Sequence, residues 1–102
     1  MSDLNNDTNV IDRYDEEVKE PSMYKVIFLN DHYTTWDFVI QMLEKYFAKT
    51  FMEAQAITKS VHEKGKGVAG IYTRDIAITK MAQVNQEAVS SGHPLALNIE
   101  EA

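Results

Sequence analysis

A chain of 102 residues is normally one domain with one modest core, and the absence of cysteine excludes a disulfide scaffold, thiol catalysis and Cys-based zinc sites. A formal charge of −6 argues against non-specific nucleic-acid binding, which depends on Lys and Arg neutralising phosphates. No apolar run approaches the roughly 20 residues that span a bilayer, and the N-terminus lacks the regions of a secretory signal, so we predict a cytoplasmic protein that does not contact membranes.

The first 22 residues carry most of the negative charge. Seven acidic residues against Arg13 and Lys19 give this segment −5 of the total −6. Because few apolar residues and no regular period precede Pro21, we predict that residues 1–22 are a disordered acidic extension and that residues 23–102 form the folded domain. The extension has two interpretations: a solvated leader that aids solubility, or an extended arm that contacts a partner.

The segment MYKVIFL from Met23 predicts a strand, because β-branched and aromatic residues alternate between two faces. A polar stretch then precedes a helix that Thr34 or Thr35 can cap, with Asp37 in its first turn. Apolar residues recur at helical spacing along this helix: Trp36, Val39, Ile40, Leu43 and Phe47.

A second helix is predicted from Thr50, which forms a capping-box pattern with Glu53. Its apolar stripe consists of Ala54, Ile57 and Val61, and Gly65 is expected to end it. GVAGIYT, residues 67–73, predicts a second strand.

Thr73 is expected to cap a third helix, which SSGHP ends. The inward stripe of this helix is predicted to be Ala77, Met81, Val84 and Ala88. LALNI, residues 95–99, predicts the last strand. The order β-α-α-β-α-β predicts a small single α+β domain, with a three-stranded antiparallel sheet packed with three helices.

The sequence offers little catalytic chemistry. GKGVAG lacks the spacing of nucleotide-binding loops, and the three histidines form no close metal-binding pair, so we predict no cofactor and no metal. His93 is typical of a turn residue, and His62 borders an apolar stripe, as a core-edge histidine often does. Asn30 and Asp31 follow the first strand, where they can form a turn or bind a ligand.

Three segments carry a resemblance to a known family. YKVIFLNDHYTTWDFV, VHEKGKGVAGIYTRDIAITK and HPLAL resemble consecutive blocks of the ClpS family, adaptors that deliver N-degron substrates to a Clp-type AAA+ unfoldase and its protease. The similarity extends from Pro21 to Ala102. It implies a protein that is not an enzyme, with a pocket for the free α-amino group and the bulky apolar side chain of a polypeptide's first residue.

The resemblance also implies which residues form the site. An α-amino group has a pKa of about 7.7–8.0, so near neutral pH it is mostly an ammonium that needs acceptors. The residues implied for this group are Asn30, Asp31, Thr34 and His62. The residues implied for the walls of the apolar pocket are Phe28, Trp36, Val39, Thr58, Val61 and Leu95.

The sequence departs from the usual family pattern at three positions. Trp36 stands where Met or Ile is typical, Thr58 where Met is common at the pocket mouth, and His32 where a second aspartate is frequent. The Met at the pocket mouth is thought to exclude β-branched first residues. We therefore expect Thr58 to relax that exclusion and Trp36 to reshape or shallow the pocket.

Two further surfaces are implied by the resemblance. Asp75 and Lys80 match positions that dock on the N-terminal domain of the unfoldase, although both could be ordinary solvated helix charges. The acidic extension matches a segment that helps to hand over cargo. We expect a monomer in a bacterial cytoplasm, with a plastid as the other possible setting.

Two other functional classes remain open from the sequence. An enzyme could use Asp31 and His62 as an acid–base pair, although no nucleophile or cofactor site accompanies them. A ribosomal-stalk-like interaction module without N-degron binding is the other alternative, because the ClpS fold resembles the C-terminal domain of the ribosomal stalk protein.

Overall fold

The computed structural model describes residues 21–102, which contain three strands and three helices. In chain order these are β1 (Met23–Leu29), α1 (Trp36–Phe47), α2 (Phe51–Lys64), β2 (Lys66–Thr73), α3 (Arg74–Ser91) and β3 (Ala96–Glu101). This order confirms the predicted β-α-α-β-α-β fold. The acidic extension lies outside the described residues except for Pro21 and Ser22, so its disorder and the domain boundary stay predictions.

The sheet has the strand order β2-β1-β3, and both pairings are antiparallel. Strand β1 is therefore central, as its apolar composition on both faces predicts. Val26 pairs with Gly70 and Ile27 with Val68, so Ala69 is an extra residue that forms a bulge in β2.

The hydrophobic core lies between the helices and one face of the sheet. Val26 and Phe28 of β1 belong to it and are fully buried, while Ile27, which points to the opposite face, is outside the cluster. Helix α1 contributes more core residues than the predicted stripe, because Phe38 and Met42 are buried as well. Helix α3 contributes Ala77, Val84 and Ala88.

The helix ends follow the predicted capping residues closely. Thr35 caps α1 by accepting a hydrogen bond from the Phe38 N–H at 3.1 Å. Thr50 and Glu53 form the reciprocal capping box of α2, and Gly65 ends that helix with φ +88°. Thr73 occupies the N-cap position of α3, but its side chain makes no capping hydrogen bond.

The last strand differs from its predicted bounds. It begins at Ala96, one residue later than expected, and runs to Glu101, where it pairs with Tyr24. The acidic end of this strand has no apolar alternation to reveal it. It is strand because the central β1 extends far enough to pair with it, and the Ala102 N–H also bonds to the Met23 carbonyl oxygen at 2.7 Å.

Candidate functional site

A cavity of about 270 Å³ opens beside the C-terminal end of β1. The loop after β1, helix α1 and helix α2 all contribute to it. Its lining residues are Asn30, Asp31, His32, Thr34, Trp36, Val39, Thr58, Val61 and His62. Oxygen and nitrogen acceptors thus share one small space with aliphatic side chains.

The end of α2 is held against the end of β1 by backbone contacts. The Asn30 N–H donates to the Gly65 carbonyl oxygen at 3.0 Å, and the Gly65 N–H donates to the Val61 carbonyl oxygen at 3.0 Å. His62 lies in this last helical turn. Residues 32 positions apart in the sequence, Asn30 and His62, therefore line the same cavity.

Gly67 lets β2 and α2 approach closely. A Cβ atom on Gly67 would lie 2.9 Å from Val61 Cγ2 and 3.0 Å from the Ile57 carbonyl oxygen, which is closer than packed atoms tolerate. The missing side chain at this position allows α2 to pack down on the strand that is paired with β1. This packing sets the height of Val61 and His62 above the sheet.

Asp31 organises the loop between β1 and α1. Its Oδ1 accepts hydrogen bonds from the N–H groups of Tyr33 at 2.7 Å and Thr34 at 2.6 Å, and its Oδ2 accepts from the Thr34 hydroxyl at 2.6 Å. Partial burial acts to raise the pKa of Asp31, but the hydrogen bonds from Thr34 and Tyr33 outweigh it and hold this pKa below the usual 3.8. Asp31 is thus a fixed negative charge at the cavity.

The floor of the cavity is apolar. Val39 and Val61 are almost fully buried, and Thr58 exposes only 3% of its surface. The Thr58 hydroxyl donates to the Ala54 carbonyl oxygen at 2.7 Å within α2. Because this bond uses the hydroxyl proton, Thr58 serves as a short wall residue with a methyl group instead of a polar contact.

Trp36 and His62 form the rim. Their ring centroids are 5.9 Å apart with an interplanar angle of 67°, an edge-to-face arrangement. Trp36 remains 41% exposed even though it begins the apolar stripe of α1. Trp36 therefore lies at the start of α1, as the sequence predicts. It differs from the other residues of the stripe because its side chain is partly exposed.

Eight of the ten residues proposed for the pocket line this one cavity. The other two, Phe28 and Leu95, are buried in the hydrophobic core and do not line it. Phe28 packs edge to face against Phe47, another core residue, at a centroid distance of 5.5 Å. His32 lines the cavity as well, although the sequence singled it out only as a departure from the family pattern.

The two residues proposed for docking lie on α3, away from this cavity. Asp75 is exposed in the first turn of α3. Lys80 is half-buried, and its Nζ donates to the Tyr46 carbonyl oxygen at 2.7 Å and lies over the rings of Tyr72 and Phe47, at 5.1 and 5.8 Å. Lys80 therefore stabilises the C-terminal end of α1, whatever else it binds.

A larger groove of about 510 Å³ lies between α1 and α3 and is lined mainly by polar side chains, including Tyr46, Gln83 and Glu87. The Glu87 carboxylate already accepts hydrogen bonds from the Tyr46 hydroxyl at 2.6 Å and Lys45 at 2.9 Å, which lower its pKa. The groove offers no buried apolar floor. The smaller cavity is therefore the better candidate for binding an apolar side chain.

Residues 21–102 lack two kinds of feature. Within this part of the chain, no group of three or more His, Asp or Glu side chains is placed to hold a metal ion. The helices described here also include none that is long and apolar enough to cross a bilayer.

Comparisons with known proteins agree with one another. A family model described as "ATP-dependent Clp protease adaptor protein ClpS" matches residues 19–98. The chain is 49% identical over 102 residues to the ATP-dependent Clp protease adapter protein ClpS of Shewanella pealeana, covering all of both chains. It is 50% identical over 93 residues to that of Cupriavidus metallidurans, covering 91% of this chain and 86% of the other.

A solved structure is similar as well. The structure of Agrobacterium tumefaciens ClpS2 bound to L-phenylalaninamide matches with a TM-score of 0.78 and 31% sequence identity, covering 81% of this chain and all of that one. The chain belongs to the ClpS family, the adaptor proteins of the ATP-dependent Clp protease.

Proposed function

We propose that this adaptor captures the first residue of a polypeptide in the 270 Å³ cavity and delivers that polypeptide to a Clp-type AAA+ unfoldase. The cargo is an N-degron whose first residue has a free α-amino group and a bulky apolar side chain. Acceptors from Asn30, Asp31, Thr34 and His62 bind the ammonium. The side chain enters the space above Val39, Thr58 and Val61.

One observation carries this proposal: acceptors and an apolar floor line the same small cavity. An ammonium requires lone pairs, and Asp31 adds a fixed negative charge. A cavity of about 150 Å³ can hold benzene, so the volume here suffices for one aromatic side chain. The similar ClpS2 protein was solved with L-phenylalaninamide, a molecule with a free amino group and a benzyl side chain.

Magnitudes indicate that both halves of the cavity are needed. Burial of a Leu or Phe side chain contributes about 1.5–3 kcal/mol, and each charge-assisted hydrogen bond about 1.5–3 kcal/mol. Three such bonds and one side chain give about 6–12 kcal/mol, from which association removes at least about 4 kcal/mol. Neither half is sufficient by itself, and the resulting moderate affinity suits an adaptor that must release its cargo.

In this proposal, residue 58 determines how wide a range of first residues the cavity accepts. Thr58 is short, and its hydroxyl is engaged with Ala54 inside the helix. A short wall leaves room beside the Cβ atom of the cargo residue, where Ile and Val carry their second branch. We therefore expect Ile and Val to be accepted along with Leu and aromatic residues.

Delivery uses parts of the chain other than the residues that line the cavity. Asp75 and Lys80 on α3 are proposed to dock on the N-terminal domain of the unfoldase, and the acidic extension of residues 1–22 to assist transfer. The adaptor acts as a monomer in this scheme. Because the relatives from Shewanella pealeana and Cupriavidus metallidurans are bacterial proteins, we place the complex in the bacterial cytoplasm and not in a plastid.

The proposal is tested by capture on paired beads that display the same peptide with a free or an acetylated N-terminal Phe. The free peptide is expected to retain the adaptor, and the acetylated one to lose it, because acetylation removes the positive charge and two donors. Equal retention on both beads would contradict the proposal. Retention on neither, with ribosome co-sedimentation, would favour the stalk-like alternative.

A further inference from the structure

We infer that Trp36 is a positioning residue for His62: its indole holds the imidazole in the orientation that presents a ring nitrogen to the cargo ammonium. This inference rests on the proposed function of the cavity. It assigns to Trp36 a role that acts through His62, in addition to any contact of its own with cargo.

His62 needs an orienting partner. It is exposed in the last turn of α2, and among residues 21–102 no hydrogen bond fixes its imidazole. A neutral imidazole has one donor nitrogen and one acceptor nitrogen, so it accepts a hydrogen bond from an ammonium only when the acceptor nitrogen faces the ligand. In many sites a hydrogen bond to the other ring nitrogen sets that orientation. In this site the imidazole instead contacts the indole of Trp36.

The geometry of Trp36 suits this role. The edge-to-face contact at 5.9 Å and 67° is a favourable arrangement for two aromatic rings. Trp36 is the first residue of α1, and the neighbouring Thr35 caps that helix, so the backbone beneath the indole is fixed. The indole of Trp36, on α1, can therefore restrict the orientation of the His62 side chain on α2.

The partial exposure of Trp36 also supports a role in positioning His62. A residue that only filled the core at this end of α1 would be buried like Val39, which exposes 5% of its surface, whereas Trp36 exposes 41%. The large ring stays at the rim, where it contacts His62 and lines the cavity. This position lets it control the imidazole without occupying the apolar floor.

Binding measurements on a double-mutant cycle test the coupling. With a peptide that starts with Phe, Trp36→Leu is expected to weaken binding about two- to tenfold, because it removes an aromatic pair. Trp36→Phe keeps a ring and should restore most of the affinity. In the His62→Ala background, measured at high peptide concentration, Trp36→Leu should weaken binding clearly less, because only the direct contact of Trp36 with cargo is then lost.

The same cycle separates failure of the inference from failure of the proposed function. Equal losses from Trp36→Leu with and without His62, or a Trp36→Phe variant as weak as Trp36→Leu, would overturn the inference while cargo binding stands. If the wild-type chain does not distinguish free from acetylated peptides, the proposed function itself is wrong.

A second measurement needs no cargo. Trp36 is the single tryptophan of the chain, so its emission reports its own surroundings. Because the His62 ring contacts the indole edge to face, the emission maximum of Trp36 should shift when this ring is removed in His62→Ala. His32→Gln, at another residue that lines the cavity, should leave the emission as in the wild type. Unchanged emission in His62→Ala would overturn the inference.

Discussion

The Asn30 N–H donates a 3.0 Å hydrogen bond to the Gly65 carbonyl oxygen, and this bond joins the end of the central strand to the end of α2. Gly65 ends the helix three residues after His62, so the bond fixes the spacing between the Asn30 and His62 sides of the cavity. Site geometry therefore depends on how closely α2 packs against the sheet.

Gly67→Ala tests this dependence. The new methyl group would meet Val61 Cγ2 and the Ile57 carbonyl oxygen at about 3 Å, so α2 must shift. We expect a loss of about 1–3 kcal/mol in the free energy of unfolding, together with weaker cargo binding. Denaturant titration and peptide anisotropy measure the two effects.

Val68→Ala is the matched control, because Val68 is the next residue and is 42% exposed. It should leave cargo binding unchanged. Full cargo affinity in Gly67→Ala would show that the height of α2 is unimportant for the site.

Cargo affinity should depend on the charge of the cargo. Above about pH 8 it should fall as the α-amino group loses its proton. Anisotropy titrations from about pH 7 to about pH 9.5, with circular dichroism as a check on folding, measure this loss. An affinity that does not change over this interval would contradict capture of the ammonium.

Asp31 keeps its negative charge across this range. Its pKa is lowered below 3.8, so its charge and its support of the loop are complete above that value and are lost only as the pH falls through the lowered pKa. His62→Ala should weaken binding of a peptide that starts with Phe at least about tenfold at neutral pH, because it removes one acceptor of the ammonium. Unchanged affinity in His62→Ala would rule out His62 as an acceptor.

Thr58→Met should narrow specificity. A longer side chain at this wall would fill the space beside the cargo Cβ atom, so peptides starting with Ile or Val should lose at least about tenfold in affinity, while Leu and Phe peptides change little. Thr58→Val is the control, since it keeps the size and removes only the hydroxyl that bonds to Ala54. Failure of the wild-type chain to bind any Ile or Val peptide would refute the relaxed specificity.

Substitutions at Lys80 and Asp75 should distinguish an effect on folding stability from an effect on docking to the unfoldase. Lys80→Met removes the hydrogen bond to the Tyr46 carbonyl oxygen and the contact with two aromatic rings, which should cost about 1–2 kcal/mol of folding stability. Asp75→Asn, at an exposed position, should change the melting temperature less. Both variants should weaken binding to the isolated N-terminal domain of the unfoldase. Unchanged binding in Asp75→Asn would argue against docking through this part of α3.

Much of the fold could be predicted from local patterns. The capping box of Thr50 and Glu53, the left-handed Gly65 and the apolar run of β1 each have a physical cause within a few residues, and each appears as expected. The bounds of β3 could not be predicted in this way. Its acidic end is strand only because β1 pairs with it across the sheet.

The site could be predicted only in part, because tertiary contacts bring its residues together. The polar Asn30 and Asp31 after a strand indicated a turn or a binding loop, and the resemblance added His62. The resemblance implied Phe28 and Leu95 as pocket walls as well, and both are buried in the core without lining the cavity. An apolar pattern does not distinguish a cavity wall from the core behind it, because both positions take the same residue types. The contact between Trp36 and His62 required the packing of α1 against α2.

The most direct test of the account is the affinity of this chain for one peptide with an N-terminal Phe, measured by anisotropy with the α-amino group free and acetylated. Acetylation removes the charge that Asn30, Asp31 and His62 are proposed to bind while leaving the benzyl side chain intact. The account predicts at least about a hundredfold loss of affinity on acetylation, the equivalent of about 2.7 kcal/mol or more. Equal affinity for the two peptides would contradict it.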